Sequence, residues 1–432
     1  MPNIVNVLVS QQVASVPSTL QRTGAFVSQG GTTNAVGSVT LLTQASDLTG
    51  SITPAVANTS VSWDTGTVTV VCAGNHGIPT GDSVYVTVAG VTPVDYNGVF
   101  LATATNATTY TYPLATVSGI TIAQGTTQVY AVAELVAMTN TFFAQGNTQA
   151  VYVLELGIGT PTDGVTALTA YIAEPLVKFY SYLLPASWDT EASAVVMANQ
   201  FTGTTAQTYF YVTTTTATYS AWLGIKSVFA AVESPDAPML EFSLAAMFWV
   251  TLSYNPNATN LAHPLEYSYI YAVTPYKTLT NAQQTLLTAA GVNWVGTGAQ
   301  GGISNTLIQG GEFMDLAPFN YWYSVDWLSI NVAIALSAAV INGSNNPTNP
   351  LYYNQAGINT LQKVSQATVN NGISFGLILS PATVDAITFV TYVAQHPSDY
   401  ALGIYNGLSV TFIPARGFTS ITIYLTASNI PV

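Results

Sequence analysis

The sequence predicts a multidomain chain of mixed α+β / α/β class. It should hold an α/β middle domain, an inserted small all-β domain, and β-strand arms at both termini. Three patterns carry this expectation. Across residues 133–300, short apolar runs alternate with helical stretches, the rhythm of a largely parallel sheet covered by helices. Across residues 46–132 almost no helical periodicity survives, and β runs alternate with turn signals every ~8–12 residues. At the two ends lie runs of β-favouring residues.

The ends come first. Ile4-Val5-Asn6-Val7-Leu8-Val9 is apolar on both faces and needs cover on both. In the run 420–426, Ile421, Ile423 and Leu425 share one face while Thr422, Tyr424 and Thr426 share the other. A terminal strand is easily lent to a neighbour, because no further chain must follow it. We therefore divide the chain into an N-terminal arm (1–20), the start of the core (21–45), an all-β peripheral insert (46–132), an α/β middle domain (133–300), a C-terminal core domain (301–415) and a C-terminal strand arm (416–432).

Within the core, strands are expected near 23–27 and 37–43. The insert offers strands at 61–63, 67–72, 83–88, 99–104 and 109–112, with turns at Asp64-Thr65-Gly66, Pro79-Thr80-Gly81-Asp82 and Tyr96-Asn97-Gly98. The middle domain reads as strands at 150–156, 177–184, 207–213, 227–232 and 269–273. Helices at 163–174 (Asp163 near its cap), 190–201, 218–223, 243–252 and 280–290 lie among them, the last ending at Gly291. Beyond residue 300, β segments at 303–309 and 312–316 precede a long helix at 323–341. A second helix at 356–371 ends at Gly372, and the remainder reads as β.

Composition narrows the function. Only 6% of the 432 residues are charged, against about 25% in an ordinary soluble domain. Lys and Arg together number six and the net charge is −13, which excludes the electrostatic footprint of a nucleic-acid binder and of a polybasic membrane site. A weakly charged surface rich in Thr, Ser, Asn and Gln tolerates dense self-assembly, whereas a free monomer with that surface risks precipitation. The N-terminus lacks a signal-peptide pattern, and the apolar runs 242–252 and 327–341 fall short of the ~18–20 residues of a membrane span. Synthesis in the cytoplasm without stable membrane insertion is the expectation.

Chemistry-bearing motifs are scarce. Cys72, the sole cysteine, sits among Val70, Val71 and Ala73 and reads as a small buried hydrophobe. His76, His263 and His396 form no metal-ligand spacing. Gly296-Thr297-Gly298-Ala299-Gln300-Gly301 matches GxGxxG, but a dinucleotide site needs a helix opening within it, and β follows here. No GxSxG elbow is present. The Asn-x-Ser/Thr sites at Asn58, Asn106, Asn257 and Asn342 read as chance products of a Thr/Asn-rich chain. No catalytic residue, cofactor or metal is expected. The 25 tyrosines suit interfaces and cores alike.

Several motifs point to a family. Gly310-Gly311-Glu312-Phe313-Met314-Asp315, then Asp326-Trp327-Leu328 opening a long helix, Ala356-Gly357-Ile358 opening the next, and Asn371-Gly372-Ile373 resemble contractile-phage tail sheath proteins. Met1-Pro2-Asn3-Ile4-Val5-Asn6-Val7 and Gly24-Ala25-Phe26-Val27-Ser28 are similar to the same family. The likeness covers residues 1–45 and 133–432. The intervening module, with His76-Gly77-Ile78-Pro79-Thr80-Gly81-Asp82, Tyr96-Asn97-Gly98-Val99-Phe100 and Tyr110-Thr111-Tyr112, resembles small β modules of phage virion proteins. The chain departs from the family around Asp399-Tyr400-Ala401, where a basic run would be expected.

The resemblance implies a tail-sheath-like core in a structural, non-enzymatic virion subunit. Many copies would stack helically around an inner tail tube protein, alongside baseplate and tail terminator proteins. Ile4, Val5, Val7 and Val9, with Ile421, Ile423 and Leu425, would be the residues exchanged between subunits by β-augmentation. Segments 11–18 and 414–417 would be the hinges of contraction, and Lys363 on the helix 356–371 would face the tube. An acidic cell-surface or S-layer protein is the alternative, though it should carry a signal peptide. An acid-stable secreted hydrolase also fits the low charge, but no residue points to one.

Overall fold

The structure is a computed structural model describing residues 19–201, 207–256, 264–298 and 305–417. The expected terminal strands, with Ile4, Val5, Val7, Val9, Ile421, Ile423 and Leu425, lie outside the described residues, as do segment 11–18 and His263.

The main sheet runs through both sides of the insert. β1 (Gly24–Ser28) and β2 (Val39–Leu42) precede the insert. β9 (Val151–Glu155), β10 (Ser181–Leu183), β11 (Tyr209–Thr214), β12 (Val228–Val232), β13 (Asn293–Thr297) and β14 (Thr306–Gln309) follow it. Among the described residues the order is β14-β13-β12-β11-β10-β1-β9-β2. β1 and β9 to β13 are parallel, with β2 and β14 antiparallel at the edges. Every residue of β1 and β12 is buried, as expected of strands covered on both faces. Successive side chains go to opposite layers. Phe26, Tyr209, Tyr211 and Phe229 join one core, whereas Ala25, Val27, Phe210, Val212 and Val228 join the other.

The first layer is covered by α1 (Tyr130–Phe143), α4 (Ser243–Ser253) and the start of α6 (Phe319–Ser344). The second is covered by α2 (Pro161–Ala173), α3 (Ala192–Asn199) and α5 (Asn281–Ala289). The cap of α2 is Thr160, and Asp163 stands at its third position in a reciprocal capping box.

The insert is a closed barrel of β3 (Val56–Asp64), β4 (Thr67–Cys72), β5 (Ser83–Thr92), β6 (Gly98–Asn106), β7 (Thr109–Pro113) and β8 (Ala123–Val129), in the order β3-β4-β7-β6-β5-β8. Alternating residues such as Val68, Val70, Cys72, Val86, Val88, Tyr110 and Tyr112 fill its interior. Closure removes the exposed edges that an open sheet of this size would carry. Cys72 is buried inside it.

Several expectations need correction. Neither β8 nor α1 was predicted. The helix buries residues such as Val132, Leu135, Met138 and Phe142 around most of its girth, so its apolar pattern lacks a clean period. The strand predicted at 269–273 shrinks to a single bridge, Tyr269 to Leu307, because Tyr267 and Ala272 take positive φ. The segment 312–316 is likewise one bridge, Glu312 to Pro318, with Leu316 at φ +65°. β13 was also missed. It contains Gly296, and among the described residues no helix opens at Gly296 or Gly298 before the antiparallel β14.

The long helix begins four residues earlier than predicted, so Asp326 falls in its third turn. With 26 residues, α6 is long and apolar enough to cross a membrane by length and composition, contrary to the expectation from run length. In this fold its first turns are core: Phe319, Tyr323, Trp327 and Ile330 pack into the first layer.

Asp326 is wholly buried there. Its Oδ2 accepts hydrogen bonds from the Tyr180 hydroxyl at 2.9 Å and the Tyr209 hydroxyl at 2.7 Å. Burial raises its carboxyl to about 7, against the hydrogen bonds from the two tyrosines and the pull of Lys226 and Lys178. A raised carboxyl keeps its proton in the fold, so its contribution to stability is lost as pH rises from the unfolded value of 3.8 towards 7. The Tm advantage of Asp326→Asn over the parent should therefore be larger at pH 8 than at pH 5, by roughly 2–5 °C. Scanning calorimetry at both values checks this, and a variant that loses as much at pH 8 as at pH 5 contradicts it.

Candidate assembly surface

The C-terminal part is built on α6. After it come α7 (Gln355–Ser374), β15 (Ile378–Ala386), α8 (Phe389–Gln395), α9 (Pro397–Leu402) and β16 (Leu408–Pro414). The two short helices correct the expectation of continuous β after Gly372. Thr388 caps α8 by accepting from the Thr391 amide, Pro397 occupies the first turn of α9, and Gly403 ends it at φ +70°.

β15 and β16 form a two-stranded antiparallel ribbon. Its inner face carries Ile378, Ala382, Val384, Leu408, Val410 and Phe412, all joined to the core beneath α6 and α7. Its outer face carries Leu379 and Ile413, directly paired across the strands and 49% and 60% exposed. An isolated two-stranded ribbon is marginal. This one is supported from below and bare on top.

Its two edges differ. On the β15 side, both main-chain groups of Val384 are taken by α7: the amide donates to Gln366 Oε1 at 2.9 Å, and the carbonyl accepts from Gln362 Nε2 at 2.8 Å. Gln366 Nε2 also donates to the Ala382 carbonyl at 3.2 Å. The amide of Val384 thus points away from β16. By antiparallel alternation its partner Val410 presents its own amide and carbonyl outward, as do Leu408 and Phe412. Among the described residues nothing pairs with that β16 edge.

Both routes to the terminal segments start beside α6. Gln21 Nε2 donates to the Tyr323 carbonyl at 2.8 Å. Asn320 Nδ2 donates to the Ala415 carbonyl at 2.5 Å, and the Ala415 amide donates to the Leu377 carbonyl at 2.9 Å. The expected hinge at 414–417 is therefore fastened at Ala415, and any pivot must follow it.

Lys363 is exposed on α7, on the same face as Asn359, Thr360, Ala367 and Asn370. That face is polar and, Lys363 apart, uncharged. Next to it an aromatic cluster docks α8 and α9: the Tyr353 ring lies 5.8 Å from Phe389 and 5.2 Å from Tyr400, and Tyr392 lies 4.8 Å from Tyr405. The Tyr392 hydroxyl donates to Asp399 at 2.7 Å. Among the described residues no group of His, Cys, Asp and Glu could hold a metal ion.

Sequence reasoning placed the long helices. It missed the ribbon's unequal edges, because no local pattern marks a glutamine as bonding to a strand some twenty residues downstream.

No family model and no curated protein matches the chain. The fold is that of a chain in the cryo-EM structure of the anti-feeding prophage baseplate, 6-fold symmetrised, with a TM-score of 0.57 at 13% identity over 99% of each chain. A chain in the same baseplate in the contracted state gives 0.50 at 10% identity, over 99% of this chain and 98% of that one. The crystal structure of the sheath tail protein Lin1278 from Listeria innocua gives 0.42 at 11% identity, over 85% and 91%.

Gln366→Ala withdraws an acceptor and a donor from β15. It should cost about 1–2 kcal/mol, read as a lower midpoint in urea unfolding with an unchanged slope. An unchanged midpoint would mean that the glutamine does not hold the edge.

Proposed function

We propose that the chain is a structural, non-enzymatic subunit of a contractile phage tail sheath, resident in the virion. Copies polymerise around an inner tail tube protein by lending terminal strands to one another, with baseplate and tail terminator proteins at the two ends of the stack. Contraction of the stack then drives the tube through the host envelope. The observation that carries this reading is the unpaired β16 edge, set on a ribbon beside the points where both terminal segments leave α6. Main-chain hydrogen bonds to Leu408, Val410 and Phe412 would supply affinity, and alternating side chains would set register. Val5, Val7 and Val9, or Ile421, Ile423 and Leu425, have the period-2 pattern required. Ile4 would flank the first set.

The likeness to chains of one baseplate in two forms, spanning nearly the whole of this chain, supports a tail structural role. The low charge supports close packing of copies. Lys363, alone among uncharged neighbours on α7, is the proposed tube-facing residue.

Two sets of variants test the exchange. Deleting residues 1–10 or 420–432 should leave a folded monomer that forms no tubes in negative-stain electron microscopy. Val410→Pro removes one outward amide while sparing the pairing to β15. It should cut assembly by at least about tenfold in sedimentation, with far-UV circular dichroism unchanged. Tubes of normal length from any of these proteins would sink the strand-exchange model.

A further inference from the structure

Strand order reverses once in the main sheet. β1 lies between β9 and β10, and the chain reaches β9 before crossing back to β10. In open α/β sheets the crevice beyond the carboxyl ends of the strands at such a reversal is where ligands bind. Here that position holds a cavity of about 330 Å³, within the ~300–1,000 Å³ range of small-molecule sites. Gln29 after β1, Thr160 before α2 and Ser187 after β10 form its floor. The barrel roofs it with Tyr85 and Leu101, and α1 walls it with Tyr130 and Glu134.

Two carboxylates at this end of the sheet behave differently. Glu155 is saturated: it accepts from the Ser28 and Thr32 hydroxyls and from the amides of Gly30, Thr32 and Gly157, all within 3.0 Å. It fastens loops. Glu134 is only 7% exposed, yet it receives a single hydrogen bond, from the Ala186 amide to Oε1 at 2.8 Å. No hydrogen bond from the described residues reaches its other oxygen, and the residue lines the cavity. Burial, with the like charge of Glu233 adding to it, raises this carboxyl to about 7.

The rest of the lining indicates what would satisfy it. No Lys, Arg or His borders the cavity, and a second carboxylate, Glu191, does. The first turn of α2 already holds Asp163 in its capping box, which disfavours an anion there. A buried carboxylate short of a partner gains most from an opposite charge that can also donate hydrogen bonds. Tyrosine and leucine side chains suit an aliphatic stem.

We infer that this crevice binds a primary ammonium group on a short aliphatic chain, anchored on Glu134 and enclosed by the barrel. The ammonium comes either from a free diamine or from a lysine side chain of a protein. This site is independent of strand exchange, and its failure would leave the assembly reading untouched.

Isothermal titration of the full chain with putrescine and with Nα-acetyl-lysine methylamide tests it, with glucose as the neutral comparator. Saturable 1:1 binding of at least one amine is expected, and the tighter of the two identifies the source. Glu134→Gln, which keeps the shape and removes the charge, should weaken it by at least about tenfold. Ser187→Phe, filling the cavity from the floor, should abolish it. Absence of amine binding to the parent chain overturns the proposal. So does a Glu134→Gln protein that binds as well as the parent, or binding of glucose in preference to both amines. Should Glu134→Gln fail to fold, Ser187→Phe decides: retained binding there places the amine elsewhere and overturns the site.

Discussion

Three buried side chains couple the two halves of this molecule. Tyr180 immediately precedes β10 and Tyr209 opens the neighbouring β11, and both hydroxyls converge on Asp326 of α6. The carboxyl sits where water does not reach, so an uncompensated charge there would cost several kcal/mol. Retaining the proton and accepting two hydroxyls removes most of that cost. The geometry is also directional: the third turn of α6 can lie at only one height and rotation over the sheet. The segments leading to both termini are fastened to the same helix, by Gln21 on Tyr323 and by Asn320 on Ala415.

Lys226 belongs to the same neighbourhood. Its ammonium lies 3.7 Å from the centre of the Trp322 ring, one turn before Asp326. A chain with six basic residues thus uses one of them inside, against an aromatic face, and leaves few for its surface. Buried carboxylates are treated one by one: Glu155 receives five donors, Asp326 two and Glu134 one. The low charge of the sequence is therefore not a uniform property of the surface. Part of the small charged set is invested in fixing how the layers meet.

How legible all this was depended on the range over which the deciding interaction acts. The parallel strands other than β13 were readable because burial on both faces leaves largely apolar runs, as in Tyr209–Thr214 and Val228–Val232. The barrel was readable as all-β from its turns, but its sixth strand, Ala123–Val129, contains Gly125 and four polar residues and reads as a loop. α1 was hidden by being covered nearly all round. The short helices α8 and α9 depend on Thr388, Pro397 and Gly403, signals that were present and overlooked. The unequal ribbon edges and the singly bonded Glu134 could not have been read at all, since both arise from contacts between distant segments. The terminal strands, which organised the sequence reading, lie outside the described residues.

The glutamines of α7 give the ribbon a property beyond stability. By occupying the β15 edge they leave a template that can accept a strand on one side only, so its valence is one. A template open on both sides could join sheets laterally without limit, which is the route to fibrils. One open edge per copy permits linear bookkeeping of contacts instead, each acceptor matched to a single donor. Under the proposed strand exchange, Gln362 and Gln366 would act as stoichiometric stops, setting how many neighbours the ribbon could hold rather than how tightly it holds them.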